Sequence, residues 1–209
     1  MRQGMSMRRI IRPAFRPVFR AGAAAVLIAL ASACATAPSS TVVSSAEFSS
    51  LALCSGVSIS NAPATDNRNR IVQYDPQAYV RGKTLLRAPV KACVSSGFGP
   101  RRGGAGAFHH GVDLYPGRPE ASVAGGDGVV ETVGALRGYG KTVLISHGGG
   151  VKTRYAHLSA YAPGLKRGVR VAMGSPIGRT GATGNASAVH LHYEIMIDGK
   201  RHNPLTVGR

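Results

Sequence analysis

Apolar and polar residues alternate over short runs in the C-terminal two-thirds of this chain, and glycine punctuates the runs. The clearest case closes the pattern: Tyr193, Ile195 and Ile197 alternate with Glu194 and Met196, and Asp198-Gly199 follows. A period of two predicts a strand, and Asp-Gly after it predicts a hairpin turn. The same rule predicts strands over residues 83–90, 128–134, 141–147, 151–157 and 170–173, with Gly148-Gly149-Gly150 as a hairpin loop. No stretch keeps a helical period. The pattern therefore predicts an all-β domain built from antiparallel sheet.

Ahead of these runs the chain reads differently. Residues 1–33 have the layout of an export signal: an arginine-rich start, an apolar core from Ala21 to Leu30, then Ala31-Ser32-Ala33. The uncharged run is about 13 residues, short of the roughly 20 needed to span a membrane. Arg8-Arg9 also fits a twin-arginine signal. Cys34 stands where a bacterial lipoprotein is lipidated, although Ala31 replaces the usual leucine. Both ordinary cleavage and an outer-membrane lipid anchor through Cys34 are open. Residues 34–50 are small and polar, as in a flexible tether. Residues 51–84 are expected to pack on the main domain, residues 85–209, because Cys54 and Cys93 are a candidate disulfide in an oxidising compartment. Two free thiols are the alternative.

Charge adds less than its size implies. The 209 residues carry 26 Lys and Arg against 9 Asp and Glu, a formal +17. Six of the basic residues precede residue 34, leaving 20 against 9, or +11. Such a balance favours polyanionic partners. No basic run interleaves with aromatics, so nucleic acid is not expected, whereas cell-wall polymers and anionic membranes are acceptable. With 28 glycines and no tryptophan, composition agrees with a turn-rich β protein.

The histidines carry the chemistry. His190 and His192, two apart on a strand, project from one face and make half a metal site. In Phe108-His109-His110-Gly111-Val112-Asp113, a histidine and a carboxylate flank a glycine, and spacing alone does not choose between His109 and His110. His157 ends a predicted strand in Tyr155-Ala156-His157-Leu158. A catalytic zinc takes three protein ligands and leaves one position open for water. One Asp and two His leave a net +1 suited to acidifying that water.

Six segments carry a resemblance: residues 95–101 (SSGFGPR), 109–113 (HHGVD), 126–130 (GDGVV), 155–158 (YAHL), 181–184 (GATG) and 190–194 (HLHYE), followed by Asn203-Pro204. In this order they resemble the lysostaphin/LytM-type zinc metallopeptidases, over roughly residues 85–207. The resemblance implies an antiparallel β groove fold in which His109, Asp113 and His192 hold Zn2+. It implies that His157 and His190 are catalytic, polarising water or steadying the oxyanion. His147 and His202 match no motif of the family and are read as structural. Three departures lie beside the groove: residues 102–107 are short, Ser187-Ala188-Val189 replaces Thr-Gly-Pro, and Glu120-Ala121-Ser122 interrupts a Gly-x-Pro-Val segment.

The implied activity is a zinc endopeptidase cutting peptide cross-links or stems of bacterial peptidoglycan, exported to the periplasm or cell envelope. The alternative is a non-catalytic envelope factor of the same fold that binds cell wall or activates another hydrolase. A basic polyanion-binding lipoprotein is a third reading, resting on charge alone.

Overall fold

Strand β14 (Leu191–Ile197) is the centre of the molecule in the computed structural model, which describes residues 48–59, 61–101 and 108–209. The expected signal, Cys34, nearly all of the tether and the short segment 102–107 lie outside the described residues. All described residues belong to one unit, Pro38–Arg209. No α-helix occurs among them.

The strands preceding β14 are β1 (Gln77–Val80), β2 (Lys83–Leu86), β3 (Cys93–Ser96), β4 (Gly99–Pro100), β5 (Phe108–His109), β6 (Val112–Tyr115), β7 (Ala121–Val123), β8 (Gly128–Leu136), β9 (Gly140–Gly148), β10 (Val151–Leu158), β11 (Ala160–Tyr161), β12 (Arg170–Val171) and β13 (Pro176–Arg179); β15 (Lys200–His202) follows it. The main sheet runs β12-β8-β9-β10-β14-β6-β3, with β15 added to the far part of β14, and every pairing is antiparallel. A small β11-β13-β7 sheet and the β1-β2 and β4-β5 pairs complete the fold.

Turn chemistry fixes the registers. Arg81-Gly82, Gly149-Gly150 and Asp198-Gly199 all have positive φ and join strands through two-residue loops, as type I′ turns require. Arg81 reaches across to the other two turns, donating to the Gly149 carbonyl at 2.9 Å and pairing with Asp198 at 2.6 Å.

The odd positions of β14 face the core. Leu191, Tyr193 and Ile195 are fully buried with Val112, Leu114, Val143, Ile145 and Tyr155. Tyr155 and Tyr193 lie 5.3 Å apart between ring centroids, and the Tyr193 hydroxyl donates to the Leu86 carbonyl at 2.9 Å. Such aromatic pairs add about 0.5–1.5 kcal/mol beyond their buried area.

Three details refine the predicted strands. On the even side of β14, Glu194 is fully buried and Met196 nearly so, and Arg154, Arg201 and Tyr139 close over Glu194. β2 stops at Leu86, since Arg87 turns inward to donate to the Pro204 and Val207 carbonyls. β12 stops at Val171, since the Met173 amide is claimed by the Asp127 carboxylate at 2.8 Å.

The segment before β3 is tied to the main sheet. Leu53 bridges Val94 in parallel, Leu51, Ile71, Ala78 and Val80 join the hydrophobic core, and Cys54 is bonded to Cys93.

Candidate metal centre

His109 ends β5, Asp113 lies in β6 and His192 in β14, and the pairing of β6 with β14 sets Asp113 directly opposite His192. Gly111 makes this possible. A Cβ there would stand 2.4 Å from the Tyr193 carbonyl oxygen and 3.0 Å from His192 Nε2, so only glycine lets the chain pass. His109 Nε2 is 3.1 Å from Asp113 Oδ1 and 3.1 Å from His192 Nδ1, and His192 Nδ1 is 2.9 Å from the same Asp113 oxygen.

The outward nitrogens of these rings are already used. His109 Nδ1–H donates to the Gly97 carbonyl at 2.7 Å, leaving Nε2 to face inward. His192 Nε2–H donates to Glu194 Oε1 at 3.3 Å, leaving Nδ1 inward. Arg101 binds the other oxygen of Asp113 at 3.0 Å and also donates to the Ser96 hydroxyl. Three lone-pair donors thus converge, each oriented by a partner behind it, which is how protein metal sites are built. Ligands roughly 2.0–2.1 Å from a tetrahedral zinc stand about 3.3 Å apart, so the cluster fits that ion with small adjustment.

Two further histidines face the cluster. His190 is set by a bridge to Gly181, and its Nδ1–H donates to the Ala188 carbonyl at 2.8 Å. Its Nε2 lies 3.7 Å from Asp113 Oδ1. His157 arrives differently. In a regular β10 it would point away from its neighbour Ala156, which pairs with His192. A bulge between Tyr155 and Leu158, with His157 at φ 61°, turns the ring back onto the His192 side. Its Nδ1–H donates to the Thr183 carbonyl at 2.7 Å, and its ring centroid is 4.7 Å from that of His190 and 5.8 Å from that of His192. The Gly181–Gly184 loop therefore orients one histidine and braces the other.

Burial and charge tune these groups. Burial holds His157 below its usual pKa, so it is neutral at pH 7. Burial pushes Asp113 up, but the His109 and His192 rings beside it outweigh that and keep the carboxylate well below its usual range. Burial likewise opposes charge on His192, yet its bonds to Asp113 and Glu194 raise its pKa overall. A proton and a metal ion compete for the same Nδ1, so metal uptake releases protons.

The cluster opens into a cleft of about 510 Å³ whose walls include Arg101, Phe108, His110, Tyr139 and Asn185. Of the five residues singled out from sequence, all five lie at this cleft; His110 is on its wall and outside the cluster. His147 is buried elsewhere, bonded to the Asp127 carbonyl and the Thr153 hydroxyl. Sequence reasoning gave no role to Glu194, Arg101, Tyr139 or the Gly97 and Thr183 carbonyls. Apart from Tyr139, they lie in segments legible as motifs, but their contacts depend on long-range register.

Residues 107–204 match the sequence profile of Peptidase family M23. They form a peptidase family M23 domain. Over 102 residues the chain is 42% identical to the DD-carboxypeptidase/endopeptidase Mpg of Neisseria meningitidis, covering 48% of this chain and 23% of that protein. Over 120 residues it is 36% identical to the murein hydrolase activator NlpD of Salmonella dublin, covering 57% of this chain and 30% of that one. The chain thus spans about a quarter to a third of the length of these relatives. Among solved structures, a zinc-containing peptidase from Vibrio cholerae superposes with a TM-score of 0.55 at 27% identity, over 63% of this chain and 46% of that one. The catalytic domain of lysostaphin from Staphylococcus simulans does so with a TM-score of 0.50 at 29% identity, over 54% and 89%. The M23 domain explains the nearly all-β architecture and the antiparallel sheet.

Proposed function

We propose that this protein is a zinc endopeptidase that hydrolyses peptide cross-links or stems of bacterial peptidoglycan in the cell envelope. The observation that carries this reading is the meeting of His109, Asp113 and His192 within 4.8 Å, with His157 and His190 facing the same cleft. His109 Nε2, Asp113 Oδ1 and His192 Nδ1 would hold the ion. When bound, zinc supplies Lewis acidity and lowers the pKa of a water.

The chain's own residues supply the rest. His190 and His157 each spend Nδ1–H on a backbone carbonyl, so each presents Nε2 to the cleft as a base, or as an acid once protonated. A neutral His157 can accept a proton from an attacking water and return it to the leaving amine. His190, next to Asp113, is placed to steady negative charge on the former carbonyl oxygen once it carries a proton. Tyr139, Phe108 and Asn185 line the cleft where a peptide would lie. Export through residues 1–33, and anchoring through Cys34, belong to the same proposal.

The similarity to NlpD supports a second reading, an envelope factor that activates another hydrolase. Metal retention and turnover separate the two. Purified protein should hold about one zinc and release defined peptides from purified peptidoglycan, identified by mass. A chelator should stop the release, and His192→Ala should lose both zinc and activity. Undiminished digestion by His192→Ala would refute the zinc assignment, and zinc-loaded protein that digests nothing would favour the activator.

A further inference from the structure

Behind His192 lies a buried charged cluster that the chemistry above does not use. Glu194 has no solvent exposure, and four donors converge on its carboxylate. Oε1 receives the Tyr139 hydroxyl at 2.9 Å, His192 Nε2 at 3.3 Å and Arg201 Nε at 3.3 Å. Oε2 receives Arg154 Nη1 at 3.1 Å. The Arg154 guanidinium also lies over the Tyr139 ring, 4.9 Å from its centroid. Two arginines against one carboxylate more than neutralise it, so a carboxylate retained here for stability alone is a poor explanation: a buried ion pair roughly breaks even against an apolar replacement.

The arrangement has a directional consequence. His192 presents Nδ1 to the cluster, whereas His109 presents Nε2. A histidine on a strand can offer either nitrogen, and the one that faces a metal must be free of its proton. On His192 the Nε2 position is taken by a hydrogen bond to an anion, which holds the proton there and leaves the lone pair on Nδ1. Arg154 and Arg201 donate to the same carboxylate from the other side, and Tyr139 ties Oε1 to the cleft wall.

We propose that Glu194 is the positioning residue of the metal centre, fixing the tautomer and orientation of His192 so that Nδ1 faces the ion. This rests on the zinc reading above. A glutamine is nearly the same shape but a poor substitute. It offers one acceptor oxygen to four donors and adds two donors of its own, so the bond to His192 Nε2–H is lost or inverted. Removing such an outer partner of a ligating histidine typically weakens metal binding about 10–100-fold.

The experiment measures zinc affinity by competition with a chromophoric chelator on the full chain with its disulfide intact. The set comprises wild type, Glu194→Gln, Glu194→Asp and Arg154→Met. Folding is checked by the thermal melt of each metal-free protein. Glu194→Gln should bind zinc about 10–100-fold more weakly. Its His192 Nε2–H resonance, downfield in the ¹⁵N-edited spectrum of the zinc-loaded wild type, should move upfield. Arg154→Met leaves Glu194 its bond to His192 and should stay within about threefold of wild type. Glu194→Asp draws the carboxylate back by one methylene, toward Arg154 and away from His192; it should weaken zinc as Glu194→Gln does and serves in its place if that variant does not fold. Equal affinity in wild type and both Glu194 variants would overturn the proposal. So would equal losses in the Glu194 variants and Arg154→Met with the His192 resonance unmoved, since that pattern is a packing effect. Folded wild type that takes up no zinc would defeat the zinc reading itself and this role with it, an outcome distinct from the other two.

Discussion

At the scale of single residues, the centre depends on positions with no tolerance. Gly111→Ala would drive a methyl group against the Tyr193 backbone oxygen and the His192 ring, and backbone cannot move aside as a flexible side chain can. The expected outcome is a loss of roughly 1–3 kcal/mol in unfolding free energy and failure to retain zinc, read from denaturant melts and metal analysis. A variant with wild-type zinc content would show that the approach relaxes. His157→Ala tests another kind of dependence. It touches no ligand bond, so zinc content should persist while kcat falls about 10²–10⁴-fold, the usual share of a positioned acid or base. Wild-type turnover would remove His157 from the reaction. These residues were unequally legible. His109, Asp113, His157, His190 and His192 could be named from motif order. By contrast, Glu194 read as the polar half of an alternating strand, since nothing local announces that two distant arginines and a tyrosine will bury it.

At the scale of elements, hairpins were the readable part. Gly149-Gly150 and Asp198-Gly199 declare their turns because φ > 0 at two successive positions leaves few residue choices. The bulge in β10 was not read, although it delivers His157; its trace is that the core residues Tyr155 and Leu158 stand three apart where a regular strand would space them by two. Cysteine arithmetic left two outcomes for Cys54 and Cys93, and the structure joins them across a separation of 39 residues. Closing a loop of that length stabilises by roughly 3–4 kcal/mol in the chain-entropy model. For a domain of this size each kcal/mol moves Tm by about 2–4 °C, so Cys54→Ser/Cys93→Ser should melt roughly 6–16 °C lower by calorimetry. A Tm within a degree of wild type would mean that the segment ahead of β3 is held by its apolar contacts alone.

At the scale of the whole molecule, charge and metal act over longer distances. Among the described residues six carboxylates are held in ion pairs with Arg or Lys, and from residue 34 onward the sequence carries 20 basic residues against 9 acidic ones, an excess of cations. That field favours an anionic wall and weakens with salt, but it selects no bond to be cut. A metal ion would do something charge cannot: the three side chains proposed to hold it come from β5, β6 and β14, separated by up to 83 residues of chain, and an ion bound there would resist unfolding of the whole sheet. Because the unfolded chain cannot assemble the site, zinc at 100 times its Kd adds about 2.7 kcal/mol to stability, equivalent to roughly 5–11 °C in Tm. Chelator should therefore lower the melting temperature of wild type by about that amount and leave His192→Ala unmoved, because the variant has no site to empty. An equal drop in both proteins would trace the effect to the chelator or to metal bound elsewhere. A wild type that loses its zinc without any change in Tm would mean that the three side chains hold their places without the ion, as a sheet already fixed by its hairpin turns and disulfide could allow.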